Sequence, residues 1–286
     1  MSLGFQYKNE NHIFDEIEGR TPYLEFPLLR QTKVVKHGFS TRLGGVSQEG
    51  FSTLNLSFTR GDKEENVREN FRRIGEAMGI SCEHMVFSQQ THTTNVEKVS
   101  KKDCGCGIFS KQILQDVDGL VTDVKEVCLV TFYADCVPLY FVDPKKKVIG
   151  LSHSGWRGTV GKIGKVTVEK MQTEYGCNPK DIIATIGPSI CQDCYEVSED
   201  VIFQFQNQFH KKYWNQLFYQ KENGKFQLDL WKANEIVFLE AGILKEHIAV
   251  TNICTCCNSE LLYSHRKMGN NRGNLAAFLM LKEEVK

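Results

Sequence analysis

Two consecutive apolar runs constrain the fold of this chain more than any other feature of its sequence. Residues 137–143 and residues 148–153 are both largely apolar, and only a short, lysine-rich turn separates them. This pattern is typical of a β-hairpin, in which the end of the second strand returns to the start of the first. Cys136 precedes the first run and His153 ends the second. We therefore expect a thiol and an imidazole to face each other at one rim of a sheet.

The remaining segments alternate between helix and strand patterns. Apolar residues at helical spacing predict an amphipathic helix over residues 64–78 that ends at Gly79. Short apolar runs with no helix between them favour a mixed, largely antiparallel sheet. Because no linker or repeat interrupts the chain, we expect one α/β domain over residues 34–286, with residues 1–33 as a peripheral segment. Further helices are predicted over residues 162–175, 198–209 and 231–239, and strands near residues 34–42, 85–88, 119–122, 127–133, 181–188, 226–230, 247–251 and 275–281.

The composition limits the possible partners. Of 286 residues, 35 are Lys or Arg and 35 are Asp or Glu, so the formal net charge is zero and there is no electrostatic reason to expect nucleic acid or an anionic membrane. No apolar segment approaches the ~20 residues that span a bilayer, and the N-terminus lacks a secretory signal. We therefore predict a cytoplasmic protein with a small-molecule substrate. The sequence does not indicate an oligomeric state.

The chain contains eleven cysteines, which raises the question of a structural zinc site. Candidate ligands are the pairs Cys104 with Cys106 and Cys191 with Cys194, and the run Cys254-Thr255-Cys256-Cys257. We count only Cys191 and Cys194 as a C-x-x-C pair, so the second pair that a structural site needs is missing. The sequence therefore predicts reduced thiols, most of them buried, rather than such a site.

His92, Cys136 and His153 each lie at or just beyond the end of a predicted strand. If the fold brings them together, two imidazoles and one thiolate leave a fourth position open, which is typical of catalytic zinc. Such zinc lowers the pKa of its bound water to about 7 and polarises a substrate oxygen. Arg42 is followed by a glycine turn at Gly44 and Gly45, whose backbone N–H groups could cradle an oxyanion.

Two other interpretations of these residues stay open. Without a metal, Cys136 could be a nucleophile activated by His153, with Asp135 or Asp123 orienting the imidazole. With copper, two histidines and a cysteine are the ligands of a blue-copper centre. The eight histidines contain no H-x-H pair and are too few for a four-copper oxidase, so copper is disfavoured. The H-x-E and P-C-x-x-C pattern of zinc deaminases is also missing.

Several motifs, taken in their order along the chain, resemble the YfiH/YlmD family, whose members have been labelled polyphenol oxidase or laccase-domain proteins and are regarded as purine nucleoside phosphorylases. The resemblance runs from about residue 34 to residue 281. The motifs that carry it are His37-Gly38-Phe39-Ser40-Thr41-Arg42 with Gly44-Gly45-Val46-Ser47, residues 89–96, Asp118-Gly119-Leu120-Val121-Thr122, Ala134-Asp135-Cys136-Val137-Pro138, His153-Ser154-Gly155-Trp156-Arg157-Gly158, Gly187-Pro188-Ser189-Ile190, Tyr195-Glu196-Val197 and Asn270-Asn271-Arg272-Gly273.

The resemblance implies a layered α/β sandwich similar to Cys-hydrolase folds. It also implies zinc and a catalytic centre at His92, Cys136 and His153. The implied reactions are phosphorolysis of adenosine, inosine, guanosine and methylthioadenosine to base and pentose 1-phosphate, and deamination of adenosine. The implied partners are thus a purine nucleoside and phosphate.

Arg42 and Arg157 are our candidates for binding phosphate, because a guanidinium fork matches its oxygens. We place Gly44, Gly45 and Ser154 beside them at the substrate. Two features depart from the family pattern: the loop with Cys104 and Cys106 looks longer than usual, and the Asn-Arg-Gly-Asn run at residues 271–274 stands where Thr-Gly-Arg is expected. The second departure does not favour a substrate contact by Arg272.

Two alternative functions belong to other classes. A metal-free hydrolase or amidase could use Cys136 and His153 on cell-wall precursors. A non-catalytic partner-binding module would need neither residue for its cellular role.

Overall fold

Two six-stranded sheets pack against each other, and a three-stranded sheet lies beside them, in the computed structural model, which describes residues 3–110 and 114–283. The strands are β1 (Asp15–Ile17), β2 (Tyr23–Glu25), β3 (Val35–Ser40), β4 (Met85–Phe87), β5 (Val96–Lys98), β6 (Gly119–Thr122), β7 (Cys128–Tyr133), β8 (Val137–Asp143), β9 (Val148–Ser154), β10 (Ile183–Ile186), β11 (Glu196–Val197), β12 (Phe218–Gln220), β13 (Phe226–Leu228), β14 (Ile248–Val250) and β15 (Leu275–Leu281).

Eight α-helices connect and cover these sheets in the described part of the chain. They are α1 (Pro27–Arg30), α2 (Glu64–Met78), α3 (Trp156–Val160), α4 (Ile163–Tyr175), α5 (Glu199–Gln208), α6 (Trp214–Leu217), α7 (Leu230–Glu240) and α8 (His265–Met268). Of the helices that the structure describes, none has both the length and the apolar character that crossing a membrane requires.

The strand order defines a mixed, largely antiparallel architecture. The first sheet runs β1-β2-β3-β15-β7-β4, the second runs β14-β10-β8-β9-β6-β5, and the small sheet runs β11-β13-β12. Only the pairs β4 with β7, β5 with β6 and β10 with β14 are parallel among the described strands. The predicted fold class, an α/β fold with mixed, largely antiparallel sheets, is confirmed.

The apolar residues of β8 explain the layering. Side chains alternate between the two faces of a strand. Tyr140 and Val142 therefore face the first sheet and join the core between the sheets, whereas Leu139 and Phe141 pack under α4 and α7. On the other side of the molecule, α2 covers the outer face of the first sheet, where Phe71 lies in the same apolar cluster as residues of β4, β7 and β15. Burial on both faces is the reason why the hairpin is nearly continuously apolar.

The hairpin of β8 and β9 has the predicted register. Pro138 pairs with His153 and Val137 pairs with Ser154, so Cys136 lies at the same rim as His153. The carboxylate of Asp143 closes the turn, because its Oδ1 accepts the backbone N–H groups of the first two lysines that follow Pro144. The predicted meeting of the thiol and the imidazole is therefore present.

The N-terminal segment contains structure that the sequence did not predict. β1 and β2 extend the first sheet beyond β3, and Phe14 and Phe26 are buried. These strands are three residues each, which is too short for a recognisable alternation. The division of the chain at residue 33 stays a prediction.

Candidate metal centre and substrate pocket

Three predicted ligands come together at the rim of the second sheet. Ligand atoms of His92, Cys136 and His153 all lie within 4.8 Å of one another. Cys136 Sγ lies 3.8 Å from His92 Nε2, and the two imidazole rings meet edge to face with their centroids 4.9 Å apart. The donors are therefore close enough to share one ion.

Each ligand reaches this point from a different element. His153 is the penultimate residue of β9, and Cys136 immediately precedes β8. His92 lies in the loop between β4 and β5 and has a φ of 67°. A positive φ is uncommon for a residue with a side chain, so the surroundings must hold the loop in place.

Asp118, the residue before β6, holds that loop and His153 together. Its Oδ1 accepts a hydrogen bond from His153 Nδ1 at 2.8 Å and from the backbone N–H of His92 at 3.1 Å. Its Oδ2 accepts from the backbone N–H groups of Thr91 at 3.1 Å and Thr93 at 2.8 Å, and from the Thr93 hydroxyl at 2.9 Å. One fully buried carboxylate thus fixes two of the three ligands.

The sequence assigned the orienting carboxylate to the wrong residues. The oxygens of Asp135 accept from Thr255 Oγ1 at 2.7 Å and from the backbone N–H of Arg266 at 2.6 Å, whereas the hydrogen bond to His153 Nδ1 goes to Asp118. Asp118 takes the role that was predicted for Asp135 or Asp123. The sequence did point to Asp118 as part of the motif at residues 118–122. Its contact with His153 depends on the pairing of β6 with β9, which the sequence does not reveal.

The electrostatics of the site favour a thiolate. Burial alone would raise the pKa of Cys136, but the charge on His153 and hydrogen bonds to both imidazoles lower it to about 6. Burial would lower the pKa of His153, but the Cys136 thiolate and the hydrogen bond to Asp118 raise it to about 9. Burial would likewise raise the pKa of Asp118, and its bond with His153 holds that pKa below its usual value. At neutral pH the metal-free site therefore contains a thiolate, an imidazolium and a carboxylate.

The donor set fits a zinc ion. Because His153 Nδ1 donates a hydrogen bond to Asp118, the Nε2 atom of that ring is the one left to bind a metal, and a carboxylate behind a ligating histidine is the usual arrangement at zinc sites. Gly155 keeps the space between the ligands free: a Cβ atom there would lie 2.8 Å from His92 Cδ2 and 3.2 Å from Cys136 Sγ. Two imidazoles, a thiolate and an open position match catalytic zinc.

A pocket of about 620 Å³ opens beside these ligands and is lined by all three of them. This volume lies within the range of small-molecule sites. Arg60, Arg272 and His265 form a basic part of its wall. Within the described part of the chain, the buried Ser88 Oγ and Arg272 Nε have no hydrogen-bond partner. Buried polar atoms in proteins normally have partners, so both atoms are available to a ligand.

The predicted phosphate-binding arginines lie outside the lining of this pocket. Arg42 donates from Nε to the Ser52 carbonyl and from Nη1 to the Ser259 carbonyl, both at 2.8 Å. Arg157 is exposed and lies over the ring of Trp156, 4.3 Å from its centroid. Their contact with phosphate stays a prediction.

The small residues predicted beside them are packed into the protein. A Cβ atom at Gly44 would overlap the carbonyl of Arg20, and one at Gly45 would overlap the carbonyl of Thr53. The Ser154 hydroxyl is buried and hydrogen-bonded to the side chains of Thr159 at 2.9 Å and Asn234 at 3.0 Å. None of the three lines the pocket.

Comparison with known proteins gives consistent matches along most of the chain. Residues 36–282 match a family model described as multi-copper polyphenol oxidoreductase laccase. The chain is 36% identical over 265 residues to the purine nucleoside phosphorylase YlmD of Bacillus subtilis (strain 168), with 89% of this chain and 91% of that protein covered. It is 33% identical over 237 residues to the adenosine deaminase RL5 of an unknown prokaryotic organism, with 82% and 90% covered.

Solved structures agree with these sequence matches. The crystal structure of YlmD from Geobacillus stearothermophilus superposes with a TM-score of 0.89 at 35% identity, covering 95% of this chain and 99% of that one. The Bacillus licheniformis hypothetical protein YfiH also gives a TM-score of 0.89, at 32% identity, covering 95% of this chain and all of that one. The similarity therefore extends to the three-dimensional fold over 95% of this chain.

Proposed function

The chain belongs to the multi-copper polyphenol oxidoreductase laccase family, which confirms the resemblance to YfiH and YlmD, and we propose that it is a zinc-dependent purine nucleoside phosphorylase that also deaminates adenosine. Relatives named purine nucleoside phosphorylase and adenosine deaminase support an enzyme that processes nucleosides. We extend the proposal to inosine, guanosine and methylthioadenosine. Phosphorolysis is a transferase reaction, and deamination is a hydrolase reaction.

One observation carries the proposal: three zinc-type ligand donors surround an open position that faces a pocket large enough for a nucleoside. Copper is less well supported, because the eight histidines contain no H-x-H pair and are too few for a four-copper oxidase. When bound, zinc would polarise a substrate oxygen and make a bound water acidic. The residues around it would orient the substrate.

The basic wall of the pocket offers a place for phosphate. Burial and the positive charge of Arg60 lower the pKa of Arg272 to about 10, so the Arg272 guanidinium remains charged at neutral pH. Two like charges facing one pocket are unfavourable until an anion binds between them. A phosphate that accepted from Arg272 Nε would give this buried donor a partner. Arg60 and Arg272 are therefore our candidates, beside the earlier prediction of Arg42 and Arg157.

The nucleoside would occupy the remainder of the pocket. Phe58 and Phe132 line it and offer aromatic faces suited to a purine base. The buried Ser88 hydroxyl, without a protein partner in the described residues, is free to bind a ribose or base heteroatom. The hydrogen bonds of Asp118 would keep the His92 loop and the His153 ring in place during the reaction.

The direct test incubates zinc-loaded protein with adenosine, with and without phosphate, and separates the products by chromatography. We expect adenine and ribose 1-phosphate only when phosphate is present, and inosine, the deamination product, in both cases. Hypoxanthine should appear only with phosphate, because it forms by phosphorolysis of inosine. The variant His92→Ala, which removes one ligand, should lose both reactions. If the zinc-loaded protein forms none of these products, the proposal is wrong.

A metal-free Cys136 hydrolase or amidase, acting on cell-wall precursors, is the second candidate. The observation that favours it is that His153 hydrogen-bonds to both Cys136 and Asp118, so that a thiolate, an imidazolium and a buried carboxylate follow one another. Such an enzyme would not need His92 to bind a metal. Full hydrolase activity in a metal-free His92→Ala variant would support this candidate and oppose zinc catalysis.

We also propose that the protein acts in the cytoplasm on small molecules, without nucleic acid or membrane partners. All eleven cysteines are free thiols in the structure, which fits a reducing compartment. Five of them are buried and six are half-buried, so the prediction that most are buried was wrong.

A further inference from the structure

A second group of metal-binding side chains lies outside the substrate pocket. The Sγ atoms of Cys191, Cys194, Cys254 and Cys257 all lie within 4.8 Å of one another. The first two follow β10 and the last two follow β14, and these strands are parallel neighbours. The prediction that a second C-x-x-C pair is missing was wrong, because Cys254 and Cys257 are themselves spaced as C-x-x-C.

The spacing of these thiols matches a single tetrahedral ion. With Zn–S bonds of about 2.3 Å, the sulfur atoms of a tetrahedral site stand about 3.8 Å apart. Cys194 Sγ and Cys257 Sγ are 3.6 Å apart, whereas a disulfide requires about 2.05 Å. The cluster is therefore too wide for a disulfide between that pair and has the size of a mononuclear site.

The backbone and the neighbouring charges also suit bound thiolates. The backbone N–H of Cys191 donates to Cys254 Sγ at 3.2 Å, which places a donor of the first loop on a sulfur of the second. Lys8 forms an ion pair with Asp193 at 3.0 Å, and Arg266 donates to the Cys194 carbonyl at 3.2 Å. Two cations thus lie against the first C-x-x-C loop, where four thiolates on a divalent ion would leave a net negative charge.

We propose that Cys191, Cys194, Cys254 and Cys257 bind a structural zinc ion. Four thiolates complete the tetrahedron and leave no position for substrate, which is the rule for structural rather than catalytic zinc. Soft thiolate ligands in this geometry select zinc over the harder divalent ions.

This ion would brace the metal centre in the pocket. Thr255, between two of the cysteines, donates to Asp135, and Asp135 directly precedes Cys136. The two loops are otherwise joined by the bridge of Ser189 with Cys254 and by the bond from the Thr255 N–H to the Ser189 carbonyl at 3.1 Å. Zinc would restrict the movement of the two cysteine loops relative to each other. Through the Thr255–Asp135 hydrogen bond it would also restrict the backbone that carries Cys136.

The test counts zinc in proteins purified with reductant. The variant His92→Ala/Cys136→Ala removes two of the three pocket ligands and should retain one zinc ion per chain, held by the four cysteines. The variant Cys254→Ser/Cys257→Ser should lose that ion. Cys256→Ser is the matched control, since Cys256 lies in the same run but outside the cluster, and it should keep the wild-type zinc content.

A second measurement covers the case in which the double serine variant does not fold. Cobalt added to zinc-depleted His92→Ala/Cys136→Ala protein should give the strong thiolate charge-transfer bands of a tetrahedral four-sulfur site, and Cys256→Ser in that background should not change them. Hydrogen exchange over residues 189–197 and 252–258 should rise when the ion is removed.

Several results would overturn this assignment: no zinc and no cobalt spectrum in the pocket variant, iron in place of zinc, or loss of the ion in Cys256→Ser. These outcomes concern the cysteine cluster alone. Failure of the nucleoside assays would leave them unchanged, so the two proposals are tested separately.

Discussion

Replacing Asp118 with asparagine is the most informative single change in the candidate site. The asparagine keeps the shape of the side chain but removes its charge and turns one acceptor oxygen into an N–H donor. That donor would face either His153 Nδ1 or the N–H groups of Thr91 and Thr93, all of which need an acceptor. Loss of a partner of this kind typically reduces metal affinity by about 10–100-fold, or about 1.4–2.8 kcal/mol.

A separate cost falls on the folded protein. Leaving a buried donor without an acceptor costs about 1–3 kcal/mol, so Asp118→Asn should also lower the melting temperature of the metal-free protein. Zinc affinity is measured by competition with a chromophoric chelator, and stability by thermal unfolding with and without zinc. Zinc should stabilise the variant less than it stabilises the wild type.

Asp116→Asn is the matched control. Asp116 accepts a hydrogen bond from Thr91 Oγ1 at 2.9 Å, so it belongs to the same loop network, but it is exposed and its side chain bonds to neither His153 nor His92. Its replacement should leave zinc affinity within about twofold. Equal zinc affinity for Asp118→Asn and wild type would refute the conclusion that Asp118 organises the ligands.

Three further predictions test the charges, the space and the anion contacts of the site. Because the raised pKa of His153 is about 9 and zinc must displace its proton, zinc affinity should rise about tenfold per pH unit between pH 7 and 8.5; a flat profile by chelator competition would contradict the imidazolium. Gly155→Ala should weaken zinc binding by at least about tenfold because its new methyl group crowds two ligands, whereas the control Gly158→Ala, whose methyl would meet nothing closer than 3.4 Å, should bind zinc normally. Arg272→Gln should raise the KM for phosphate about tenfold or more and leave the rate of adenosine deamination within about twofold. Arg42→Gln should mainly lower the melting temperature, because Arg42 is hydrogen-bonded to the backbone. If steady-state kinetics instead show a raised KM for phosphate in Arg42→Gln and not in Arg272→Gln, Arg42 is the phosphate ligand.

Local patterns in the sequence predicted much of the fold. The helix over residues 64–78 coincides with α2, because its apolar spacing and the left-handed Gly79 at its end are both local signals. The hairpin of β8 and β9 was equally readable, since both strands are apolar on both faces and the turn is polar. The sequence did not predict β1 and β2, because they form strands only by pairing with each other and with β3, and these pairings are tertiary contacts.

The site was less predictable than the fold. Cys136 and His153 could be paired from one hairpin, whereas His92 was joined to them only by its position after a predicted strand and by the family resemblance. The role of Asp118 and the position of Arg272 depend on how β6 and the segment at residues 265–274 meet the hairpin. The same limit applies to the four cysteines, whose two loops are 63 residues apart between Cys191 and Cys254 and become neighbours only through the parallel pair of β10 and β14.

The protein fixes the positions of the three pocket ligands to different degrees. This difference determines how much ordering must accompany zinc binding. Cys136 and His153 belong to a hairpin buried on both faces, so their positions are fixed by the core. His92 is exposed, and its left-handed backbone costs about 1–3 kcal/mol. The backbone N–H bonds of its loop to the Asp118 carboxylate, each worth about 1.5–3 kcal/mol as bonds to a charged group, are sufficient to offset that cost. Asp118 therefore positions His92 before any ion binds, and zinc meets a site that needs little further ordering.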